Sequence, residues 1–283
     1  MKNLDQFYTC PAIAKKCVDV LNSVVDTNNY IFIEPSAGSG SFYNLMPADR
    51  RYGMDLEPKC EGIAQMDFFK YIYKGTRRVI VLGNPPFGKN SSMAMRFFNH
   101  AASMPEVDYI AFIIPKTFRK NSLQNKLSMN FSIIHDIDLP DNSFLKGGVP
   151  YKVPSCFQVW KRNLYPRQPK IVDLTNDWFE FVARNNSPDL AVRRVGRRAG
   201  ICTDNIQSCK LHSWHFLKLK AGVSKKKFMQ HINKLYSEKK FLIVASQSAG
   251  ARSISFGELV EILRSFPLTS EGDVLSSRYE YKR

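Results

Sequence analysis

The sequence predicts an α/β fold with a mostly parallel sheet, followed by a smaller, basic α+β region. Short, near-continuous apolar runs at residues 30–33, 79–82 and 109–114 alternate with stretches of helical spacing. That is the pattern of parallel strands covered on both faces by crossover segments. Turn-forming residues close these runs at their carboxyl ends, as in Glu34-Pro35-Ser36-Ala37-Gly38-Ser39-Gly40 and Asn84-Pro85-Pro86-Phe87. The carboxyl edge is where open α/β sheets bind ligands. Charge divides the chain: residues 1–160 hold 18 Lys and Arg against 14 Asp and Glu, whereas residues 161–283 hold 23 against 11.

With 283 residues, 44% of them hydrophobic and 20 of them Phe, the chain is long enough for one large domain and a smaller one. The expected domains are 1–164 and 165–283, joined near Pro166 and Pro169. No apolar run approaches the roughly 18 residues of a membrane span, and the N-terminus lacks the apolar core of a secretory signal. Six cysteines are scattered without a C-x-x-C pair, which reads as reduced thiols in an intracellular, cytoplasmic protein, whether of cellular, phage or viral origin. The net charge of +16, concentrated in the C-terminal part, points to a polyanionic partner and to no membrane. His212 and His215 have no acid or cysteine at ligand spacing, so no metal is expected.

Taken in order, Phe7, Tyr8 and Thr9 are expected on a loop ahead of a helix capped by Thr9 or Cys10, with Pro11 in its first turn. Ile13, Cys17, Val20, Leu21 and Val24 fall on one face of that helix. The run 30–33 leads into the glycine turn and then into a helix start. Gly38 and Gly40 would let backbone approach a ligand and offer free N–H groups. Asp55 ends the next strand, at the offset at which a carboxylate takes the two hydroxyls of a ribose; Glu57 is the alternative. Asp67 ends a further short unit and could accept from an adenine amine, with Phe68 packing on the ring. The run 79–82 ends in Asn84-Pro85-Pro86-Phe87. Two prolines stiffen this tip, so that the Asn84 amide and the Pro85 carbonyl can accept from one exocyclic amine while Phe87 stacks on the ring carrying it. A helix near 92–104, a buried strand at 109–114, and two last strands at 132–139 and 156–160 follow, with a Gly147-Gly148-Val149-Pro150-Tyr151 loop between the last two. Beyond the linker, Arg193, Arg194, Arg197, Arg198 and Lys225–Lys227 interleave with Trp214 and Phe216, a composition suited to nucleic-acid contact. Ser255 and Glu258 form a capping box.

These motifs, in this order, resemble the S-adenosylmethionine-dependent N6-adenine DNA methyltransferases of the gamma arrangement. The resemblance covers residues 4–160. It implies a Rossmann-like methyltransferase domain with a seven-stranded, mostly parallel sheet and a C-terminal target-recognition region. It also implies roles. Glu34, Ser36, Ala37, Gly38 and Gly40 bind the methionine part of S-adenosylmethionine, with Tyr8 and Thr9 closing over its carboxylate end. Asp55 takes the ribose, and Asp67 with Phe68 the adenine. Asn84 and Pro85 hold the target amine within the Asn84-Pro85-Pro86-Phe87 motif, and Phe87 stacks on the flipped base with Tyr151 as the second aromatic. Phe87 stands where many relatives carry Tyr, which keeps stacking and loses a hydroxyl. Arg193, Arg194, Arg197 and Arg198 would meet phosphates. The expected activity is site-specific DNA adenine-N6 methylation, as in a restriction-modification system, with double-stranded DNA and a cognate restriction nuclease as partners of a monomer. RNA adenine-N6 or DNA cytosine-N4 methylation would use the same four residues; protein-glutamine methylation and a catalytically silent binding subunit complete the alternatives.

Overall fold

The computed structural model describes residues 7–247 and 252–268; Asp5 and Gln6 of the N-terminal motif lie outside them. Contacts divide the chain into two compact units, Met1–Lys170 and Ile171–Arg283. The break falls beyond the expected 164 because the intervening residues bond backwards. Asn163 N–H donates to the Asn130 carbonyl (2.7 Å) and Arg167 N–H to the Met129 carbonyl (2.8 Å). Arg167 Nε donates to the Phe131 carbonyl (2.9 Å), and Lys170 N–H to Asn125 Oδ1 (2.9 Å).

The first unit opens with β1 (Tyr8–Thr9), α1 (Pro11–Val24), β2 (Ile31–Glu34), β3 (Arg51–Asp55), β4 (Ile63–Gln65), β5 (Val79–Gly83) and α2 (Ser92–Ser103). It continues through β6 (Val107–Pro115), α3 (Asn121–Gln124), β7 (Phe131–Asp138), β8 (Phe144–Lys146), β9 (Val149–Tyr151) and β10 (Ser155–Arg162). Seven strands form one sheet in the order β4-β3-β2-β5-β6-β10-β7. The pairs β4–β3, β3–β2, β2–β5 and β5–β6 are parallel, and β10 is antiparallel to both neighbours. This is the mostly parallel sheet the apolar runs predict, in the seven-stranded, Rossmann-like form the resemblance implies. β5 is buried along its whole length, because it lies at the centre with side chains entering both layers. On one face Val79 and Val81 pack with Phe98, Phe112 and Trp160; on the other Ile80 and Leu82 pack with Phe32, Phe157 and the α1 residues Ala14, Cys17 and Leu21. The α1 face is therefore centred on Ala14 rather than Val24, which is exposed.

Three local expectations change. No full helix follows the glycine turn: residues 43–45 and 48–50 make only single 3₁₀ turns before β3 begins at Arg51. The 147–151 segment is a β-hairpin, β8–β9, closed at Gly147 and Gly148 with φ of +57° and +80°, the left-handed pair that a tight hairpin turn needs. β1 joins that hairpin as a third, antiparallel strand, with Thr9 opposite Phe144, so Tyr8 and Thr9 are strand residues, not loop residues.

The second unit is α+β. β11 (Phe179–Phe181), β12 (Leu190–Arg193), β13 (Cys202–Thr203) and β14 (Trp214–Leu219) make an antiparallel sheet in the order β11-β14-β12-β13. Alternation decides its two faces. Leu190, Val192 and Leu217 pack with Phe228, Ile232, Leu259 and Leu263, which come from α4 (Lys225–Ser237) and α6 (Phe256–Ser265); α5 (Lys240–Ala245) adds Phe241. Ala191 and Phe216 point the other way and pack with Cys209. The capping box is present: Glu258 N–H donates to Ser255 Oγ (3.3 Å) and Ser255 N–H to Glu258 Oε2 (2.7 Å).

His215 is only 3% exposed, and its Nε2 lies 2.8 Å from the Ile254 carbonyl, which fixes Nε2 as the donor. Burial, with a smaller push from the Arg194 charge, lowers its pKa to about 4. Its ordinary value is 6.5, so the unfolded chain takes up this proton first and stability is lost as pH falls from about 6.5 towards 4. Urea unfolding of His215→Gln should show a weaker loss across that window than the wild type. Parallel pH curves for the two would contradict the assignment.

Candidate active site

The site grows from two neighbouring strand ends. Parallel register sets Ile33 beside Val81, so Glu34 and Asn84 leave the sheet side by side. Glycine suits position 83, where φ is +155° and a Cβ would sit a tight 3.2 Å from Glu34 Cγ. Ser36 Oγ donates to the Asn84 carbonyl (3.1 Å) and ties the two turns together. Asn84 Nδ2 donates to the Phe7 carbonyl (3.4 Å), whereas Asn84 Oδ1 is buried with no hydrogen-bond partner among the described residues. Pro85 is buried, Pro86 and Phe87 half-buried. The Phe87 carbonyl receives the N–H groups of Met93 (3.2 Å) and Ala94 (3.3 Å), which clamps the tip to the start of α2.

Four aromatic rings form one group that includes Phe7, whose carbonyl accepts from Asn84. Phe87 meets Phe144 edge-on, with centroids 5.9 Å apart. Phe7 lies 6.5 Å from Phe144 and stacks on Tyr151 at 4.7 Å and 13°. Tyr151 therefore joins the group through Phe7. Phe144, fully buried, is a residue that the sequence reading missed. Its signal was faint: one aromatic in a Ser-Phe-Leu segment, 57 residues from Phe87, brought in only because β8 pairs with β1.

The glycine turn is built differently from expectation. Its N–H groups are spent internally: Ala37 on the Met54 carbonyl (2.9 Å), Gly40 on the Ala37 carbonyl (2.7 Å), and Gly38 on Asp55 Oδ2 (2.8 Å). Gly38 and Gly40, expected to offer free N–H groups, therefore have theirs bonded within the chain. Gly40, at φ +81°, is demanded by the chain's own packing, since a Cβ would meet Cys60 Sγ and Asn44 Nδ2 at 2.9 Å. Tyr8 lies against the turn, 3.1 Å from where a Gly38 Cβ would sit, and Ser41 Oγ donates to the Thr9 carbonyl (2.9 Å). Asp55 also accepts from Glu57 N–H through Oδ1 (2.9 Å). Asp67 Oδ1 caps a 3₁₀ turn by accepting from Phe69 N–H (3.0 Å). Phe68, expected on a ligand ring, is 2% exposed and packs on Phe97 at 5.4 Å and His100 at 4.7 Å.

Glu34 is 2% exposed, accepts from the Tyr43 backbone N–H, and its Oε2 has no hydrogen-bond partner among the described residues. Burial pushes its carboxyl well above the ordinary carboxylate range, and the Asp55 charge adds to this.

In the second unit the four arginines separate. Arg193 Nε donates to the Val195 carbonyl (3.2 Å) and its guanidinium lies 5.7 Å from the Trp214 ring. Arg194 donates to the His212 carbonyl (3.3 Å). Both are half-buried, whereas Arg197 and Arg198 are exposed. The run is therefore not one continuous contact face.

No protein-family model matches the sequence, and no curated protein matches it. Solved structures do. A candidate class I S-adenosylmethionine-dependent methyltransferase of Listeria monocytogenes matches with a TM-score of 0.43 at 13% identity, over 60% of this chain and 65% of its own. The methyltransferase subunit of a type I restriction-modification system from Streptococcus thermophilus matches at 0.40 and 18%, over 56% of this chain and 45% of its own. The 23S rRNA methyltransferase ErmE matches at 0.39 and 12%, over 56% and 71%. At this distance the likeness concerns the α/β architecture, and residue roles have to be argued from the geometry above.

A raised carboxyl pKa has a definite sign in stability. Glu34 binds its proton more tightly folded than unfolded, so its contribution is present below about 4.5 and is lost as pH rises beyond it. Glu34→Gln, which keeps shape and neutrality, should gain stability over the wild type progressively from pH 5 to pH 8 in denaturant titrations. A constant difference between the two would mean that Glu34 is ionised in the folded chain.

Proposed function

We propose that this chain transfers a methyl group from S-adenosylmethionine to the N6 amine of adenine in DNA. One observation carries the reading: the buried, unpartnered Oδ1 of Asn84 at the carboxyl edge of the sheet, beside an aromatic cluster. A buried acceptor without a donor costs roughly 1–3 kcal/mol, and an exocyclic amine supplies the missing donor. The residues present also fit the cofactor. Glu34 Oε2 is a second unpartnered buried acceptor at the adjoining turn, suited to an ammonium or hydroxyl. Asp55 keeps acceptor capacity beyond its two backbone N–H groups, suited to ribose hydroxyls.

The cofactor would supply an electrophilic methyl on a sulfonium. The chain's part is positioning and charge placement. An aromatic amine is a poor nucleophile because its lone pair is delocalised into the ring. Asn84 Oδ1 and the Pro85 carbonyl, each accepting one amine hydrogen, favour a tetrahedral nitrogen with its lone pair free. Phe87 stacks on the base and holds its plane. The amine proton leaves to water after transfer. A base in a duplex must first leave the stack, at a cost of a few kcal/mol, which contacts from the basic second unit to phosphates would offset. RNA adenine and DNA cytosine present the same amine chemistry to Asn84, so the nucleoside that acquires label from labelled cofactor in mixed DNA and RNA decides among them. Label in neither nucleic acid would overturn the reading.

Asn84→Ala should abolish transfer while cofactor affinity persists, because the amide side chain faces the target. Calorimetric titration with S-adenosylhomocysteine beside a transfer assay checks both halves, and near-wild-type turnover would remove the amine-acceptor role. For phosphate contact, the exposed pair is the relevant one. Replacing Arg197 and Arg198 by Gln should flatten the log–log salt dependence of duplex binding by up to about 2 units, at 0.9 per phosphate. Replacing Arg193 and Arg194 should chiefly lower stability. An unaltered slope in the folded Arg197/Arg198 variant would take that pair off the nucleic-acid surface.

A further inference from the structure

Resting on that reading of the site, we propose that the Phe7–Thr9 segment is a positioning strap that orients the Asn84 amide and couples its presentation to occupancy of the cofactor side. The segment touches both halves at once. Towards the target side, the Phe7 carbonyl accepts from Asn84 Nδ2 (3.4 Å), and the Phe7 ring stacks on Tyr151. Towards the glycine turn, the Tyr8 ring lies against Gly38, and Ser41 Oγ holds the Thr9 carbonyl. Gly38 in turn donates to Asp55. An unbroken series of contacts therefore runs from the carboxylate assigned to the ribose to the amide assigned to the amine.

The orienting step follows from donor–acceptor chemistry. A carbonyl only accepts, so the Phe7 oxygen takes the NH2 side of the amide and leaves Oδ1 as the arm with no partner among the described residues. The flipped amide would set its NH2 against the Phe7-distal space and leave two acceptors, Oδ1 and the Phe7 carbonyl, facing each other. A target amine would then meet a donor instead of an acceptor. Among the described residues the strap is also paired as a strand, Tyr8 opposite Leu145 and Thr9 opposite Phe144, and Cys10 N–H donates to the Ser143 carbonyl (3.0 Å).

Two measurements test this. The first is amide hydrogen exchange of the full chain with and without saturating S-adenosylhomocysteine. In the wild type, protection should appear at residues 34–40 and also at Asn84, Phe87 and Gly88. In Phe7→Gly, S-adenosylhomocysteine should still bind and protect 34–40, while the protection at 84–88 is lost. Binding by the wild type without protection at 84–88, or retention of that protection in Phe7→Gly, overturns the strap and leaves the cofactor reading intact; no binding by the wild type overturns both. The second is the pH profile of Asn84→Asp. Protonated, the acid reproduces the amide pattern, with O–H to the Phe7 carbonyl and C=O to the amine, so transfer to mixed DNA should rise as pH falls. Transfer that is undiminished at alkaline pH, where the carboxylate has no donor for Phe7, overturns the orienting role.

Discussion

The candidate site hangs on the parallel pairing of β5 with β2 on one side and β6 on the other. Parallel strands end on the same edge, so the turn after Glu34 and the tip after Gly83 emerge together without any dedicated scaffold. The pairing is robust because both layers bury β5 completely, with Phe98, Phe112 and Trp160 on one face and Phe32 and Phe157 on the other. Loosening either layer would change the separation of Glu34 and Asn84 before it touched any polar group.

What the sequence discloses and what it hides follow from the range of the interactions. The strands were legible because each is a local apolar run: 79–82 appears as β5 at Val79–Gly83, and 109–114 as the core of β6 at Val107–Pro115. The Asn84-Pro85-Pro86-Phe87 tip was legible because proline acts on its own neighbours. The partnership of Phe7, Phe144 and Tyr151 was not, since it depends on a three-stranded sheet assembled from segments more than 130 residues apart. The missing helix after the glycine turn is a matter of burial: Phe42, Tyr43 and Met46 are drawn into the core from two single 3₁₀ turns rather than one helix. The N–H groups of Gly38 and Gly40 then pair within the chain, which a glycine pattern does not disclose.

Charge was legible only as a total. The excess of Lys and Arg after residue 160 says nothing of which guanidinium groups reach water. Arg193 ends β12 and Arg194 follows it, and both turn back to donate to nearby loop carbonyls, those of Val195 and His212.

The backward bonds of residues 163–170 bear on how this chain tolerates change. Arg167 sits half-buried with its guanidinium among the carbonyls of Phe131, Gln124 and Leu127, plugging the lower edge where β7 begins. Pro166 and Pro169 look like a hinge in the sequence, yet the stretch around them behaves as a seam. An insertion or tag placed there would pull the plug and leave three carbonyls facing apolar neighbours. Ile171, which follows, is exposed, but Asp173 just beyond it is already held by Arg264 of α6 (2.7 Å), so the room for a graft is narrow.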